Sequence, residues 1–532
     1  MATSTVEIER HRPPLDYPPM PYHQLLRESA EKYGGKTAIV FHDTSLSFRQ
    51  LDEQVNRLAR ALTDLGVQKA DRVGIYMMNR PEYPISFNAV ARLGAVVTPM
   101  NPAYREHEIE YQLRDSEAKV LVTHETFYPI VAAVNLPPTL KHVIVVGGQS
   151  RPGAHVFEEL IARYPATPPE EVAFDLENDL VALPYSSGTT GLPKGVMLTQ
   201  RNLVANHLQK IAAAKMTSDD RALVFLPFYH IYGAMIMGSS IAAGLTQVIM
   251  ERFELEPSLR LTEQHKITIY YAVPPIFIAL ANYPDLEKFN LKSIRFMMSG
   301  AAPLAPEVAK RVMARTGLTI KQGYGLTEAS PFTHCNPMDD ALARLESVGW
   351  RVSDQEERIV DVETGTRMLG TGEVGELIVR GPHIMKGYWK SPEETAKTLR
   401  DGWLYTGDIG YFDERGYLFI VDRKKEMIKY KGFGIAPAEL EALLFQHPAV
   451  ADCAVIGKAD DEAGQIPKAF VVVKREAELT AEELMAFCKE RLASYKQIRE
   501  VEFVDAIPKN PSGKILRRVL RERESRRVGP EN

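Results

Sequence analysis

The stretch Tyr185-Ser186-Ser187-Gly188-Thr189-Thr190-Gly191-Leu192-Pro193-Lys194-Gly195 follows an apolar run at residues 180–183. Glycine lets a backbone approach a ligand closely, and hydroxyls with a lysine donate to an anion. A buried strand opening into such a loop has the chemistry of a polyphosphate cradle. The Walker pattern GxxxxGK[ST] is absent, because Lys194 follows Pro193 and precedes Gly195. A P-loop kinase or ATPase is therefore disfavoured. What remains is a strand-to-loop unit of an α/β protein.

On both sides of that loop, strand-like and helix-like segments alternate. Ser47 and Gln50 have capping-box spacing. Leu51, Val55, Leu58, Leu62 and Leu65 follow at helical spacing, and Gly66 can close the helix. Short apolar runs at residues 73–77, 95–98, 119–123, 142–146, 267–273 and 294–298 are bounded by turn formers, as buried strands are. The alternation predicts α/β architecture with largely parallel sheets. Beyond residue 370 the texture changes. Residues 376–380 and 417–421 alternate with turns such as Asp413-Glu414-Arg415-Gly416, which predicts a small antiparallel or barrel-like subdomain. After residue 425 a compact α+β unit begins. Helices are predicted at 437–446 and 481–493, the second with a capping box at Thr480 and Glu483, and strands at 454–456, 469–473 and 500–504. The expected division is an N-terminal domain of residues 1–423 and a smaller C-terminal domain of residues 424–532.

Composition narrows the class. A chain of 532 residues with 45% hydrophobic side chains can bury a sizeable core, which excludes disordered and fibrous classes. A net charge of −5 argues against a general nucleic-acid binder. Cys335, Cys453 and Cys488 are too scattered for a disulfide framework or a zinc site, so a reducing, cytoplasmic setting is expected. Residues 222–250 carry no Asp, Glu, Lys or Arg, a run longer than the ~20 residues that span a bilayer. Pro227, His230, Gly233, Gly238, Gly244 and Gln247 interrupt it. A buried strand at 223–226, a helix at 232–243 and a strand at 247–250 explain the missing charge without a membrane span. Peripheral contact with a membrane stays compatible with this reading.

Further motifs follow in order. Ser299-Gly300-Ala301-Ala302-Pro303-Leu304 is built from small residues that leave space. Gln322-Gly323-Tyr324-Gly325-Leu326-Thr327-Glu328 offers open backbone, an aromatic face, a hydroxyl and a hard carboxylate oxygen of the kind Mg²⁺ accepts. Tyr405-Thr406-Gly407-Asp408, the charged run from Asp422 to Gly432, and Pro511-Ser512-Gly513-Lys514 complete the series. Taken singly, Asp408 reads as a turn residue, the charged run as a solvated face, Lys514 as an exposed basic turn and His230 as a core histidine.

Together these motifs resemble, across residues 25–518, the adenylate-forming superfamily of acyl-CoA synthetases, 4-coumarate:CoA ligases, firefly luciferase and peptide-synthetase adenylation domains, and most resemble a fatty acyl-CoA synthetase. The resemblance implies a large α/β N-terminal domain of several subdomains and a smaller, mobile α+β C-terminal domain. It implies that Ser186, Ser187, Gly188, Thr189, Thr190, Gly191 and Lys194 hold the phosphates of ATP. Gly300, Ala301, Ala302, Pro303, Gln322, Gly323, Tyr324 and Gly325 would enclose the adenine, Thr327 would meet the α-phosphate, and Asp408, Ile420 and Arg423 would take the ribose side. Glu328 and Thr190 would hold Mg²⁺, and Lys514 would be the catalytic lysine of adenylation. Lys425 corresponds to the hinge, and Lys429, Lys431, Gly432, Phe433 and Gly434 to the coenzyme A face used in a second step, with Lys429 counted as catalytic there. His230 is placed among the catalytic residues as a gate, without acid–base duty. Tyr232, Met235, Ile236, Met298, Gly300, Ala301, Gly325 and Pro331 would join it around the acyl group. Gly434 departs from the Gln common in 4-coumarate ligases and luciferase, so any side-chain contact there is lost.

The implied activity is an AMP-forming acid–thiol ligase using ATP, Mg²⁺ and coenzyme A. No lysine or arginine occurs in the segments assigned to the acyl group, so an apolar acid is expected, a medium- or long-chain fatty acid first. An aryl or cinnamate-type acid is the alternative, on account of Tyr229-His230-Ile231-Tyr232. Loading of a carrier protein is a third reading, and a luciferase-like oxygenase would use the same motifs. A homodimer is compatible with all of them.

Overall fold

Apolar, charge-poor strands need cover on both faces, and here they build two large sheets with helices packed around them. The structure is a computed structural model and describes residues 12–149, 152–186, 193–431, 433–460, 462–475, 477–510 and 513–528. In the first sheet Ile320–Gly325, Phe296–Ser299, Ile269–Ala272, Arg221–Val224, Thr246–Ile249 and Thr37–Phe41 lie side by side and parallel. Antiparallel strands extend both edges. The second sheet has Leu180–Ala182, Val96–Pro99, Arg72–Tyr76, Ala118–His124, His142–Val146 and Ala154–Val156 in parallel. Lys194–Thr199 returns antiparallel on Leu180–Ala182.

The uncharged run is a strand–helix–strand unit of the first sheet. Arg221–Val224 and Thr246–Ile249 are direct neighbours, joined through the helix Ile231–Ala243. Its aliphatic side chains, among them Met235, Ile236 and Ile241, are buried. Among the described residues no helix is long and apolar enough to cross a membrane.

Both expected capping boxes form. The Gln50 N–H donates to Ser47 Oγ at 3.2 Å while Ser47 N–H donates to Gln50 Oε1 at 2.8 Å. Thr480 and Glu483 repeat the pattern. Several limits shift. The helix expected at 481–493 ends at Lys489, where the chain turns so that Leu492 and Tyr495 fold back onto the core. The strands expected at 454–456 and 469–473 are the centres of a longer ladder, Val450–Asp460 against Gly464–Val473. Only their apolar middles stand out in sequence, because their polar ends are held by backbone pairing. The strand expected at 417–421 is Leu418–Arg423, and this shift puts Arg423 opposite Asp408 on Trp403–Phe412.

These last strands belong to a third, antiparallel sheet that packs with the two large ones in one core. From Ile428 onward a separate core forms around a fourth sheet, as a second folding unit requires. One buried ion pair ties the end of the chain to that core. Arg517 donates to both oxygens of Glu441 at 2.6 and 2.7 Å, and Glu441 also accepts from the Val455 N–H at 2.8 Å. Removing the carboxylate strands a buried guanidinium, which costs about 3–5 kcal/mol. Glu441→Ala is expected to lower the melting of the C-terminal unit by several degrees while leaving that of the N-terminal unit in place. Differential scanning calorimetry resolves the two transitions, and a shift in the N-terminal one would contradict the separate cores.

Candidate functional site

Tyr185–Ser186 and Lys194–Thr199 form a hairpin in which Ser186 stands opposite Lys194. Its tip, with Ser187, Gly188, Thr189, Thr190 and Gly191, lies outside the described residues, as does Gly432. Lys194 Nζ bonds Glu394 Oε2 at 2.7 Å, and Lys194 and Lys397 together hold the Glu394 carboxyl down to about 2.

Beside the hairpin, the first sheet ends in two small-residue loops. A Cβ added at Gly300 would lie 3.0 Å from the Tyr232 ring, and one at Gly325 would lie 2.0 Å from the Pro331 carbonyl oxygen. Glycine is what permits both approaches. Ala301 has a left-handed φ of 70°, a backbone strain of the kind that persists where surroundings enforce it. The Leu304 N–H donates to Gln322 Oε1 at 3.2 Å, so the loop at Ala301, Ala302 and Pro303 is tied to the strand that carries Gly323, Tyr324 and Gly325. Thr327 and Glu328 start a short 3-10 turn, and the Tyr388 hydroxyl donates to Glu328 Oε1 at 2.9 Å.

Asp408 is the centre of the arrangement. It is buried, accepts from Arg423 Nε at 2.9 Å on one oxygen, and accepts from the Tyr324 hydroxyl at 2.5 Å on the other. Burial and this carboxylate push the Tyr324 phenol up, and the same carboxylate holds the Arg423 guanidinium up. Lys514 belongs to the same charge cluster. Burial, then the positive charge of Arg423, bring its ammonium down to about 8. Lys425 acts in the same direction, while Asp408 and Glu426 oppose it. The turn that delivers Lys514 is tight. Gly513 has φ +81°, donates to the Asn510 carbonyl at 2.8 Å, and would with a Cβ come within 2.9 Å of Pro275 and 3.0 Å of Val273. A segment of the C-terminal unit is thus pressed onto the N-terminal domain.

His230 caps the helix Ile231–Ala243, its Nδ1 accepting from the Tyr232 N–H at 3.2 Å. Burial, then the charge of Lys514, bring the imidazole down to about 4. The ring is neutral at neutral pH, and Nδ1 is occupied as an acceptor. Other residues named from the sequence are placed apart. Met235 lines a narrow apolar cleft with Tyr22, Phe87, Leu203 and His207. Ile236 is wholly buried, and Ile420 packs partly buried against the N-terminal core. Lys429 lies opposite Gly434 on an exposed hairpin, Lys431 pairs with Glu462 at 2.6 Å, and Phe433 stacks on Tyr495 with ring centres 4.8 Å apart.

Three neighbours were not legible in the motifs: Glu394 on Lys194, Tyr388 on Glu328, and Lys210 against Met298. Lys210 lies in the helix Gln200–Ala214, outside every segment assigned to the acyl group.

The site joins a carboxylate–arginine–tyrosine cluster, two glycine loops at the ends of neighbouring parallel strands and a lysine from a second unit. The chain belongs to the AMP-binding enzyme family: that family's profile matches residues 26–389, and the profile of the AMP-binding enzyme C-terminal domain matches residues 439–514. It is 37% identical to a long-chain-fatty-acid–CoA ligase of Bacillus subtilis over 96% of both chains. It is 40% identical to 4-coumarate–CoA ligase 1 of Petroselinum crispum over 95% of this chain and 94% of that one. Among solved structures it is similar to the anthranilate CoA ligase AuaEII in complex with anthranoyl-AMP, with a TM-score of 0.91, 30% identity and coverage of 97% and 98%. The chain is accordingly an enzyme of the acid–thiol ligase type.

The charge cluster makes a prediction of its own. Asp408→Asn removes the first counter-charge to Lys514, so its ammonium is expected to titrate below the parent's value of about 8. Reductive methylation of Lys514 across pH, read by mass spectrometry, should begin at lower pH in the variant. An unchanged profile would separate the two residues.

Proposed function

We propose that the chain is an AMP-forming carboxylate–CoA ligase. A carboxylate oxygen attacks the α-phosphorus of ATP, pyrophosphate leaves, and the thiol of coenzyme A then displaces AMP from the acyl-adenylate. The observation that carries this reading is the turn of Gly513 and Lys514 seated on Val273 and Pro275, which brings a cation of the C-terminal unit within electrostatic reach of Arg423 and Asp408.

In this reading Asp408 accepts from the ribose hydroxyls, Arg423 and Tyr324 hold it in place, and Thr327 donates to the α-phosphate. Lys514 stabilises the charge that builds between the attacking carboxylate and the α-phosphate, the usual means by which phosphoryl-type transfer is accelerated. Ser186 and Lys194, with the loop tip, take the outer phosphates. Lys194 must first leave Glu394, its partner in a half-buried pair. His230 stays neutral and acts as a gate. Glu328 fits Mg²⁺: its carboxylate accepts from the neutral Tyr388 hydroxyl. Among the described residues no group of three or more His, Cys, Asp or Glu side chains could hold a metal ion. Thr190 would be the second protein ligand beside Glu328, and bound Mg²⁺ would neutralise phosphate charge.

The domain division at residues 423 and 424, with Lys425 as pivot, is part of the same proposal. Lys429, Lys431, Phe433 and Gly434 sit on an exposed hairpin, available for a second orientation in which they serve coenzyme A. The three cysteines are free and buried, which supports work in a reducing, cytoplasmic compartment.

For the acid, an apolar body of limited length is the reading we adopt, a medium-chain fatty acid first. Tyr232 closes on Gly300, and Met298 and Phe332 close on Gly323. The Bacillus relative's name supports a long-chain fatty acid, and the Petroselinum relative's name an acid of the 4-coumarate type. AMP release measured over straight-chain acids of increasing length and over benzoic and cinnamic acids separates the two. A rate that keeps rising beyond about twelve carbons, an order-of-magnitude limit for a pocket of ordinary ligand volume, would overturn the length limit.

Lys514→Ala tests the core of the proposal. It is expected to slow adenylate formation by roughly 10²–10³-fold, the scale of losing one preorganised donor to developing charge. Thioester formation from supplied acyl-adenylate should stay within a few-fold of the parent. Equal losses in both half-reactions, read by pyrophosphate release and by acyl-CoA formation, would refute the role.

A further inference from the structure

The chain follows a rule for its buried cations, and one residue breaks it. Lys321 is wholly buried and bonds Asp340 at 2.7 Å. Arg92 is buried and bonds Asp52 at 2.7 Å, and Lys468 is buried among Glu524, Glu502 and Glu500. Lys210 is also wholly buried, yet among the described residues it has no ion pair. Its Nζ lies 4.7 Å from the centre of the Tyr271 ring, 4.4 Å from that of Phe332, and 2.9 Å from Met298 Sδ. Two ring faces and a thioether recover only part of the hydration that a buried ammonium gives up. A buried ammonium so placed either gives up its proton or meets an anion.

The place of the imbalance points to what that anion belongs to. Met298 stands one residue before the strand end that leads into Gly300, and its Sδ would be 3.6 Å from a Cβ at Gly323. Tyr271 meets Tyr232 edge-on at 6.4 Å, and Tyr232 is the ring that covers Gly300. The Tyr232 hydroxyl is itself buried without a hydrogen-bond partner among the described residues. An ammonium without a carboxylate and a hydroxyl without a partner therefore belong to the two side chains that meet the Tyr271 ring, next to the loops proposed to hold the acyl group. Arg12 donates to Cys335 Sγ at 3.2 Å, and its positive charge acts on Lys210 in the same direction as burial, while the Cys335 thiol opposes both. Met298, flexible and polarisable, is the side chain able to give way.

We propose that Lys210, with the Tyr232 hydroxyl, receives a second carboxylate at the end of the acid remote from the reacting one, so that the substrate class is a dicarboxylic acid with an apolar middle. This rests on the ligase reading above and refines its substrate. It keeps the apolar body of that reading and changes only the remote end of the acid, which the segments assigned from the sequence did not reach because they do not include Lys210. Burial brings the Lys210 ammonium down to about 7, and an anion in contact would return it to full charge.

The test compares acids matched in body on the purified full-length chain. One series is hexanoic, 6-hydroxyhexanoic and adipic acid; another is octanoic, 8-hydroxyoctanoic and suberic acid; a third is benzoic, 4-hydroxybenzoic and terephthalic acid. Two readouts are taken: kcat/KM from AMP release, and the Kd of each acid by calorimetry without ATP. In at least one series the diacid should exceed its parent acid by roughly tenfold or more, the scale of a charge-assisted hydrogen bond in a dry site. Lys210→Met should remove that preference and improve the parent acid, while Lys210→Arg should retain it. Lys210→Met removes an uncompensated charge, so its melting temperature should equal or exceed the parent's, which separates a specificity effect from misfolding. An unchanged ranking in Lys210→Met, or hydroxy acids preferred to diacids, would overturn the assignment. Absence of AMP release with every acid would sink the ligase reading instead, and the calorimetric ranking would still decide the role of Lys210.

Discussion

One buried carboxylate organises the site. Asp408 joins Arg423 across a strand pair and Tyr324 across two sheets, and it is the first counter-charge to Lys514. Without it, two cations from different folding units would face each other in a poorly solvated cleft and repel. The strand register that sets Asp408 opposite Arg423 therefore does more than close a sheet. It creates the negative point on which the C-terminal turn can dock. The tight fit of Gly513 against Val273 and Pro275 then limits where the ammonium can sit.

Much of this was legible in the chain, for physical reasons. Ser47–Gln50 and Thr480–Glu483 are local contracts between neighbours, and both are kept. The alternation of apolar runs and helical spacing foretold parallel sheets, and the lack of charge in residues 222–250 is explained by a unit inside the first sheet. The glycines at 300 and 325 read in sequence as room for a ligand, and in the structure the Tyr232 ring and the Pro331 carbonyl stand against them. What stayed hidden is non-local. Glu394 reaches Lys194 from 200 residues away, Tyr388 reaches Glu328 from 60, and Lys210 meets Met298 from 88. No periodicity encodes such meetings. The helix Gln200–Ala214 even conceals its most unusual residue, since a lysine in a helix normally reads as a solvated position.

The two ends of the proposed substrate path differ in kind. The Asp408 end is polar, answered on both carboxylate oxygens and joined to a second folding unit. The Lys210 end is buried and aromatic, its ammonium met by two rings and a thioether and, among the described residues, by no carboxylate. A site with one balanced and one unbalanced end holds its selectivity at the unbalanced one, because a ligand gains most where the protein has left a group unsatisfied.

The Glu441–Arg517 pair carries a mechanical consequence. Arg517 stands three residues after Lys514, and its bidentate grip fixes the end of the chain to a helix and a strand of the C-terminal core. Lys514 is therefore the tip of a rigid lever. It cannot leave the cleft as a loose tail would, with the rest of the unit staying behind. In the two-orientation cycle proposed above, withdrawing it would take the whole core along, and the outward hairpin of Lys429 and Gly434 would be carried through the same angle. Retreat of the one proposed surface and advance of the other would then be a single coordinate.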